Sequence, residues 1–220
     1  MRNNSRGDSE LASIRFMRCT SEQEDALRRE GHSLVAGVDE AGRGALFGPV
    51  YAAAVILDPA RRVDGLADSK VLSPTRREEL AAMIRLSAIA WAVGTADAAE
   101  IDHINIYQAS RLAMKRAVEA LLPAPDYLLI DALSIDWPGP QRGIIKGDAQ
   151  VECIAAASIL AKTSRDDCMR EMDRQYPGYG LARHKGYPTR EHQEALRRLG
   201  VTDLHRHSYA PVAAAAQVTQ

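Results

Sequence analysis

The 220 residues are 46% hydrophobic and 26% charged, the composition of a soluble globular chain long enough for one sizeable core. No apolar run approaches the ~20 residues that span a bilayer, which excludes a helical membrane protein. A formal net charge of −1 leaves any nucleic-acid partner to a local basic patch, and three cysteines without a Cys-x-x-Cys pair (Cys19, Cys153, Cys168) exclude a disulfide framework and a zinc site.

Residues 1–33 are polar and carry no apolar leader stretch, so they read as a flexible N-terminal extension of a cytoplasmic protein. Leu34 to Val38 is a short apolar strand. Pro49 to Leu57, apolar on both faces, is a central strand that pairs with it as a hairpin. Ser73-Pro74 supplies an N-cap and a first-turn proline, opening a helix that ends near Arg85. Ile89 to Gly94 is a third strand. Asn105 and Gln108 resemble a capping pair for a helix in which Ile106, Ala109, Ala113, Ala117 and Leu121 recur at spacings of three and four, stopped by Pro123 and Pro125. Tyr127 to Ile130 is a buried strand ending on Asp131, and Gly143 to Ile145 is a shorter one ending near Asp148. A long helix from about Gln150 carries Ile154, Ala157, Ala161, Ser164, Cys168 and Met172 on one stripe, with alanines that allow it close to a sheet. Gly178 and Gly180 break the pattern. A last helix from Thr189 to Leu199 stops at Gly200, and residues 213–220 form a C-terminal tail. The order predicts one α/β domain, a mixed sheet with helices packed on it.

The stretch from Val38 to Gly48 sets two adjacent carboxylates, Asp39 and Glu40, on a glycine-rich turn directly after an apolar strand. On a regular strand neighbours point to opposite faces, but at a strand-to-turn junction both reach one site; solvated turn residues are the alternative. Gly42, Gly44 and Gly48 permit close backbone approach to a sugar-phosphate, and Arg43 between them can clasp a phosphate. The spacing Gly-x-Gly-x-x-x-Gly followed by a strand matches neither a Walker loop nor a dinucleotide turn, so no nucleotide cofactor is expected. Alone, Asp131 reads equally as a turn starter and Asp148 as a helix N-cap. Four acids at strand ends form a different pattern: if the sheet aligns those ends, the carboxylates converge, and clustered like charges stay ionised only with cations between them. Hard oxygen donors favour Mg²⁺ or Mn²⁺. From Leu181 to Tyr209, Arg183, Lys185, Arg190, Arg197, Arg198 and Arg206 outnumber Glu191, Glu194 and Asp203, a candidate basic patch or a solvated helix face.

The stretches Val38-Asp39-Glu40-Ala41-Gly42-Arg43-Gly44, Asp68-Ser69-Lys70, Leu129-Ile130-Asp131, Lys146-Gly147-Asp148, Ala156-Ala157-Ser158-Ile159-Leu160-Ala161-Lys162 and His184-Lys185-Gly186-Tyr187-Pro188-Thr189 together resemble the bacterial type 2 ribonuclease H (ribonuclease HII) family across residues 34–212. The resemblance implies a ribonuclease H-like fold, a mixed five-stranded sheet flanked by helices with a C-terminal helical extension. It assigns metal binding and catalysis to Asp39, Glu40, Asp131 and Asp148, with Asp166 a lower-ranked rival for the fourth place because it lies well inside the long helix. Gly42, Arg43 and Gly44 would read the ribose 2′-OH at the cleavage site largely through backbone groups. Tyr187 would stack on the neighbouring deoxyribose, against the alternative of a buried core tyrosine. Lys70 and Lys185 would contact phosphates, and His184 serves equally as a structural residue.

The implied reaction is two-metal hydrolysis with Mg²⁺ or Mn²⁺, on the RNA strand of RNA-DNA hybrids or 5′ of ribonucleotides embedded in duplex DNA, giving 3′-OH and 5′-phosphate ends. The 2′-OH is then a recognition handle and no cyclic phosphate forms. The tail shows no aromatic sliding-clamp motif, and a monomer is expected. Two rival readings use the same acids: a DNA exonuclease or junction resolvase, which needs no 2′-OH, and a hybrid-binding module without turnover.

Overall fold

The computed structural model describes residues 19–218. At its centre lies one five-stranded sheet made of β1 (Val35–Ala41), β2 (Val50–Ile56), β3 (Ala90–Ala96), β4 (Tyr127–Asp131) and β5 (Gln141–Ile144), in the order β3-β2-β1-β4-β5. The expected hairpin is present: β1 pairs antiparallel with β2, and β2 in turn with β3. β1 with β4 and β4 with β5 run parallel, so the sheet is mixed. Around it pack α1 (Glu22–Arg29), α2 (Pro74–Ser87), α3 (Ala98–Glu119), α4 (Glu152–Gln175), α5 (Leu181–His184), α6 (Arg190–Leu199) and α7 (Ala210–Val218).

The alternation of side chains along a strand divides the core into two layers. Val38, Ala52, Ala54 and Ile130 face α3, against Ala113, Met114 and Ala117. Ala53 and Val55 face the other way, onto Ala156, Ala157 and Leu160 of α4 and Leu80 and Ile84 of α2. Small residues govern how near α4 comes: a Cβ at Gly37 would collide with the backbone of Cys153 and Ile154. This contact seats α4 directly beneath β1, the strand that carries Asp39. Ser73 caps α2 as its sequence predicts, its hydroxyl accepting the Arg76 N–H at 3.2 Å ahead of Pro74.

Four sequence expectations need correction. The stretch 1–33, read as a flexible extension, contains α1, which docks through Leu27 (2% exposed) and Glu24 (1% exposed); acids in its first turn and Arg28 and Arg29 in its last complement the helix dipole. Residues 1–18 of that stretch lie outside the described residues. α3 begins at Ala98 rather than Asn105, because Asp97 and Glu100 form a reciprocal capping box; Asn105 (φ 64°) kinks the helix and caps its second part, its Oδ1 accepting the Tyr107 and Gln108 N–H groups. The tail 213–220 belongs largely to α7, anchored by buried Val212 and Ala215, with residues 219–220 outside the described residues. The basic patch of 181–209 is reduced: Arg206 is fully buried, while Arg183 pairs with Glu191 and Arg190 with Glu194.

Candidate active site

Parallel pairing brings the acids together. β1 and β4 run side by side through the pair Val38 and Ile130, so the next residue of each strand, Asp39 and Asp131, emerges at the same carboxyl edge. Ligands of open α/β sheets gather at such an edge. β5 ends beside Asp131, and the chain then turns through a left-handed Lys146 into a short 3₁₀ turn, Gly147–Ala149, that carries Asp148 inward. The Gly147 N–H donates to Asp131 Oδ1 at 2.7 Å and ties this turn to the β4 end. One carboxylate oxygen from each of Asp39, Asp131 and Asp148 lies within 4.8 Å of the other two. Glu40 lines the same cleft of about 480 Å³, its Oε1 held by Arg43 Nη1 at 3.2 Å.

These carboxyls carry an electrostatic load. Burial pushes the Asp39 carboxyl well above the usual carboxylate range, and the charges of Glu40 and Asp131 push it further. Glu40 is raised by burial despite the opposing Arg43. Asp131 is raised by burial too, with the Gly147 N–H opposing and Asp148 adding. Lys70 partly answers them: its Nζ donates to Asp148 Oδ2 at 2.8 Å, and although burial disfavours its charge, Asp148, Asp68 and Asp39 outweigh that and raise its pKa. Hard oxygen donors this close, largely buried and repelling one another, are suited to a divalent cation.

The glycine turn forms the opposite wall. Gly42 has φ +97°, and a Cβ there would strike the guanidinium of Arg165, which is fully buried beneath the turn. Tyr187 lines the cleft beside Gly44; it is half-buried rather than part of the core, with Arg165 lying 5.3 Å from its ring centre. Its backbone is held from behind, where the His192 ring nitrogen Nδ1 lies 3.1 Å from the Tyr187 carbonyl and His184 stacks on His192.

Two expected residues stand apart. Lys185 lines a neighbouring cleft of about 530 Å³, its ammonium donating to the Ala182 carbonyl at 2.5 Å. Asp166 lines that same cleft and pairs with Lys162 at 2.6 Å, outside the carboxylate cluster. His184 is buried, with Nε2 2.8 Å from the Tyr179 carbonyl, a structural placement. Four cleft residues escaped sequence reasoning: Ser69, Arg77, Ser158 and Lys162. Ser158 and Lys162 are four apart on α4, a spacing that would have shown one shared face once the helix was known to border the acids.

Comparison with known proteins finds relatives in both sequence and fold. A sequence-family profile, Ribonuclease HII, matches residues 36–212. A ribonuclease HII from Solibacter usitatus is 57% identical over 197 residues, 90% of this chain and 86% of that protein. Among solved structures, ribonuclease H2 from Pyrococcus horikoshii OT3 superposes with a TM-score of 0.71 at 25% identity, covering 83% of this chain and 97% of that one. Bst-RNase HIII, solved in complex with Mn²⁺, shares the fold at a TM-score of 0.67 and 22% identity over 85% of this chain and 70% of its own.

Proposed function

The chain belongs to the ribonuclease HII family, and on that footing we propose that it is a metal-dependent endonuclease that hydrolyses the RNA strand of RNA-DNA hybrids and cuts 5′ of ribonucleotides embedded in DNA. The observation that carries this reading is the meeting of the Asp39, Asp131 and Asp148 oxygens within 4.8 Å, at a cleft that Asp39 and Asp131 line together with the Gly42–Gly44 turn and Tyr187. Within the described residues no helix is long and apolar enough to cross a membrane, which suits a cytoplasmic enzyme of nucleic acids.

Asp39, Glu40, Asp131 and Asp148 would hold the cations, for which Mg²⁺ or Mn²⁺ fits the oxygen donor set. When bound, such ions lower the pKa of water and neutralise charge on a phosphate under attack. The rest falls to the chain itself. Backbone groups of Gly42, Arg43 and Gly44 lie along the wall where a ribose would sit, and the absence of a Cβ at Gly44, beside the Tyr187 ring, leaves room for its 2′-OH. Tyr187 offers a ring face to the next sugar, so an RNA-to-DNA step is sensed by shape. Lys70, whose ammonium sits in the acid cleft bonded to Asp148 at 2.8 Å, would be placed to take a phosphate oxygen. Lys185 takes a flanking phosphate outside the acid cleft. Because the 2′-OH is read and not consumed, the products carry 3′-OH and 5′-phosphate ends.

The test is a labelled duplex with one embedded ribonucleotide, incubated with Mg²⁺, Mn²⁺ or chelator beside an all-DNA duplex. A metal-dependent cut 5′ of the ribonucleotide is expected. Cleavage of the all-DNA duplex, cleavage in chelator, or a cyclic phosphate end would overturn the proposal.

A further inference from the structure

We infer that Glu24 is a positioning residue for the metal site: it clamps the start of α4 and thereby fixes the turn that carries Asp148. The inference rests on Asp148 being a metal ligand. Asp148 sits on a three-residue 3₁₀ turn between an edge strand and a long helix, a place with few intrinsic restraints. No side chain caps α4 at its N-cap residue, Val151, so its first N–H groups need partners from elsewhere in the chain. The segment before and within α1 supplies them. The Thr20 carbonyl accepts the Glu152 N–H at 3.2 Å, and Glu24 Oε1 accepts the Cys153 N–H at 2.8 Å. Two further bonds reach the Asp148 turn: the Thr20 N–H donates to the Gln150 carbonyl at 3.0 Å, and Cys19 Sγ lies 3.3 Å from the Asp148 carbonyl oxygen.

Glu24 is the one charged member of this clamp, and it is 1% exposed. A carboxylate so deeply buried costs stability unless its acceptor capacity is needed. Here it is needed: without it the buried Cys153 N–H at the positive end of α4 is left without a partner. Its loss frees the segment from Gly147 to Cys153 to shift, and Asp148 then leaves the other two acids. The side chain of Asp148 faces the site while its backbone is gripped from behind, so a fault at Glu24 appears first as weakened cation binding.

The experiment is calorimetric titration of Mn²⁺ into the full chain. Glu24→Ala is expected to weaken Mn²⁺ binding by at least about tenfold, the scale of losing an outer partner of a ligand, and to raise the Mn²⁺ concentration for half-maximal cleavage with kcat at saturating metal little changed. Glu24→Gln, which keeps an acceptor oxygen for Cys153, restores wild-type binding. Leu121→Ala, a buried truncation just past the C-terminal end of α3, lowers thermal stability but leaves Mn²⁺ binding intact. If Glu24→Ala folds poorly, Glu24→Asp, which shortens the reach, takes its place with the same expectation. Weakened binding in Asp148→Asn with unchanged binding in the Glu24 variants would overturn the inference alone, as would an equal loss in Leu121→Ala. Unchanged binding in Asp148→Asn would overturn the ligand assignment and the inference with it.

Discussion

Asp39 concentrates the site's conflict in one side chain. It is 3% exposed and raised by burial and by its acidic neighbours, so the folded carboxyl keeps its proton to higher pH than the unfolded one. Such a group favours the folded state on the acid side and withdraws that support as pH rises through the raised value. In chelator at pH 8, Asp39→Asn is therefore expected to melt at or above the wild-type temperature by scanning calorimetry, while with Mg²⁺ or Mn²⁺ supplied its cleavage rate falls at least about 10²-fold. A lower melting point would mean that Asp39 is held by favourable contacts instead of against repulsion. Gly42→Ala makes the opposite case. Its φ of +97° and the Arg165 guanidinium beneath it leave no room for a methyl group, so a cost of about 1–3 kcal/mol and a displaced turn are expected. Misplacing the reading groups by about 1 Å costs near 10²-fold in kcat/KM on a single-ribonucleotide duplex. The acids and the glycine turn were legible in the sequence, because strand ends and motif spacing mark them. Arg165 was not, since an arginine within a helix gives no sign that it lies fully buried under a loop.

Elements were legible where their punctuation is local. Ser73-Pro74, Gly200 and the apolar runs of β1, β2 and β4 announce themselves within a few residues. α1 and α7 did not, because each owes its place to one or two buried side chains, Leu27 or Val212, meeting surfaces distant in sequence. α3 was half legible: its Asn105 cap was visible, but the Asp97 box upstream starts the helix about two turns earlier. The element contact that matters most for activity is α4 on β1. Gly37→Ala inserts a methyl group into the backbone of Cys153 and Ile154, which should cost about 1–3 kcal/mol or more. Because the same contact seats Asp39 over α4, cleavage is expected to fall beyond what the unfolded fraction at 25 °C explains, measured by urea melts beside rates on one preparation. A variant as stable and active as wild type would show that α4 can retreat without disturbing the site.

Across the whole molecule, the C-terminal elements form a lobe whose centre is three neutral histidines. His184 stacks on His192, whose Nε2 lies 3.4 Å from His205 Nε2, and His205 packs edge-on against Phe47. Burial lowers all three, His192 to about 4 and His205 to about 3, with His184 adding at His192 and His192 adding at His205. The unfolded chain takes up these protons near pH 6.5 and the folded one only far lower, so their contribution is complete above pH 6.5 and is lost as pH falls toward 4. Melting temperature is expected to drop across that window, and His205→Phe to flatten the drop; a flat wild-type profile would refute this. Since His192 holds the Tyr187 backbone, the loss should reach preference for RNA-to-DNA steps before global unfolding. The adjacency of β1 and β4 bears on biosynthesis as well. Asp39 and Glu40 leave the ribosome early, but their partner acids sit on later segments, and the last of them is braced by a helix translated later still. A nascent chain that has not yet reached Asp148 and α4 therefore cannot assemble the three-acid cluster, which forms only once those later segments have docked.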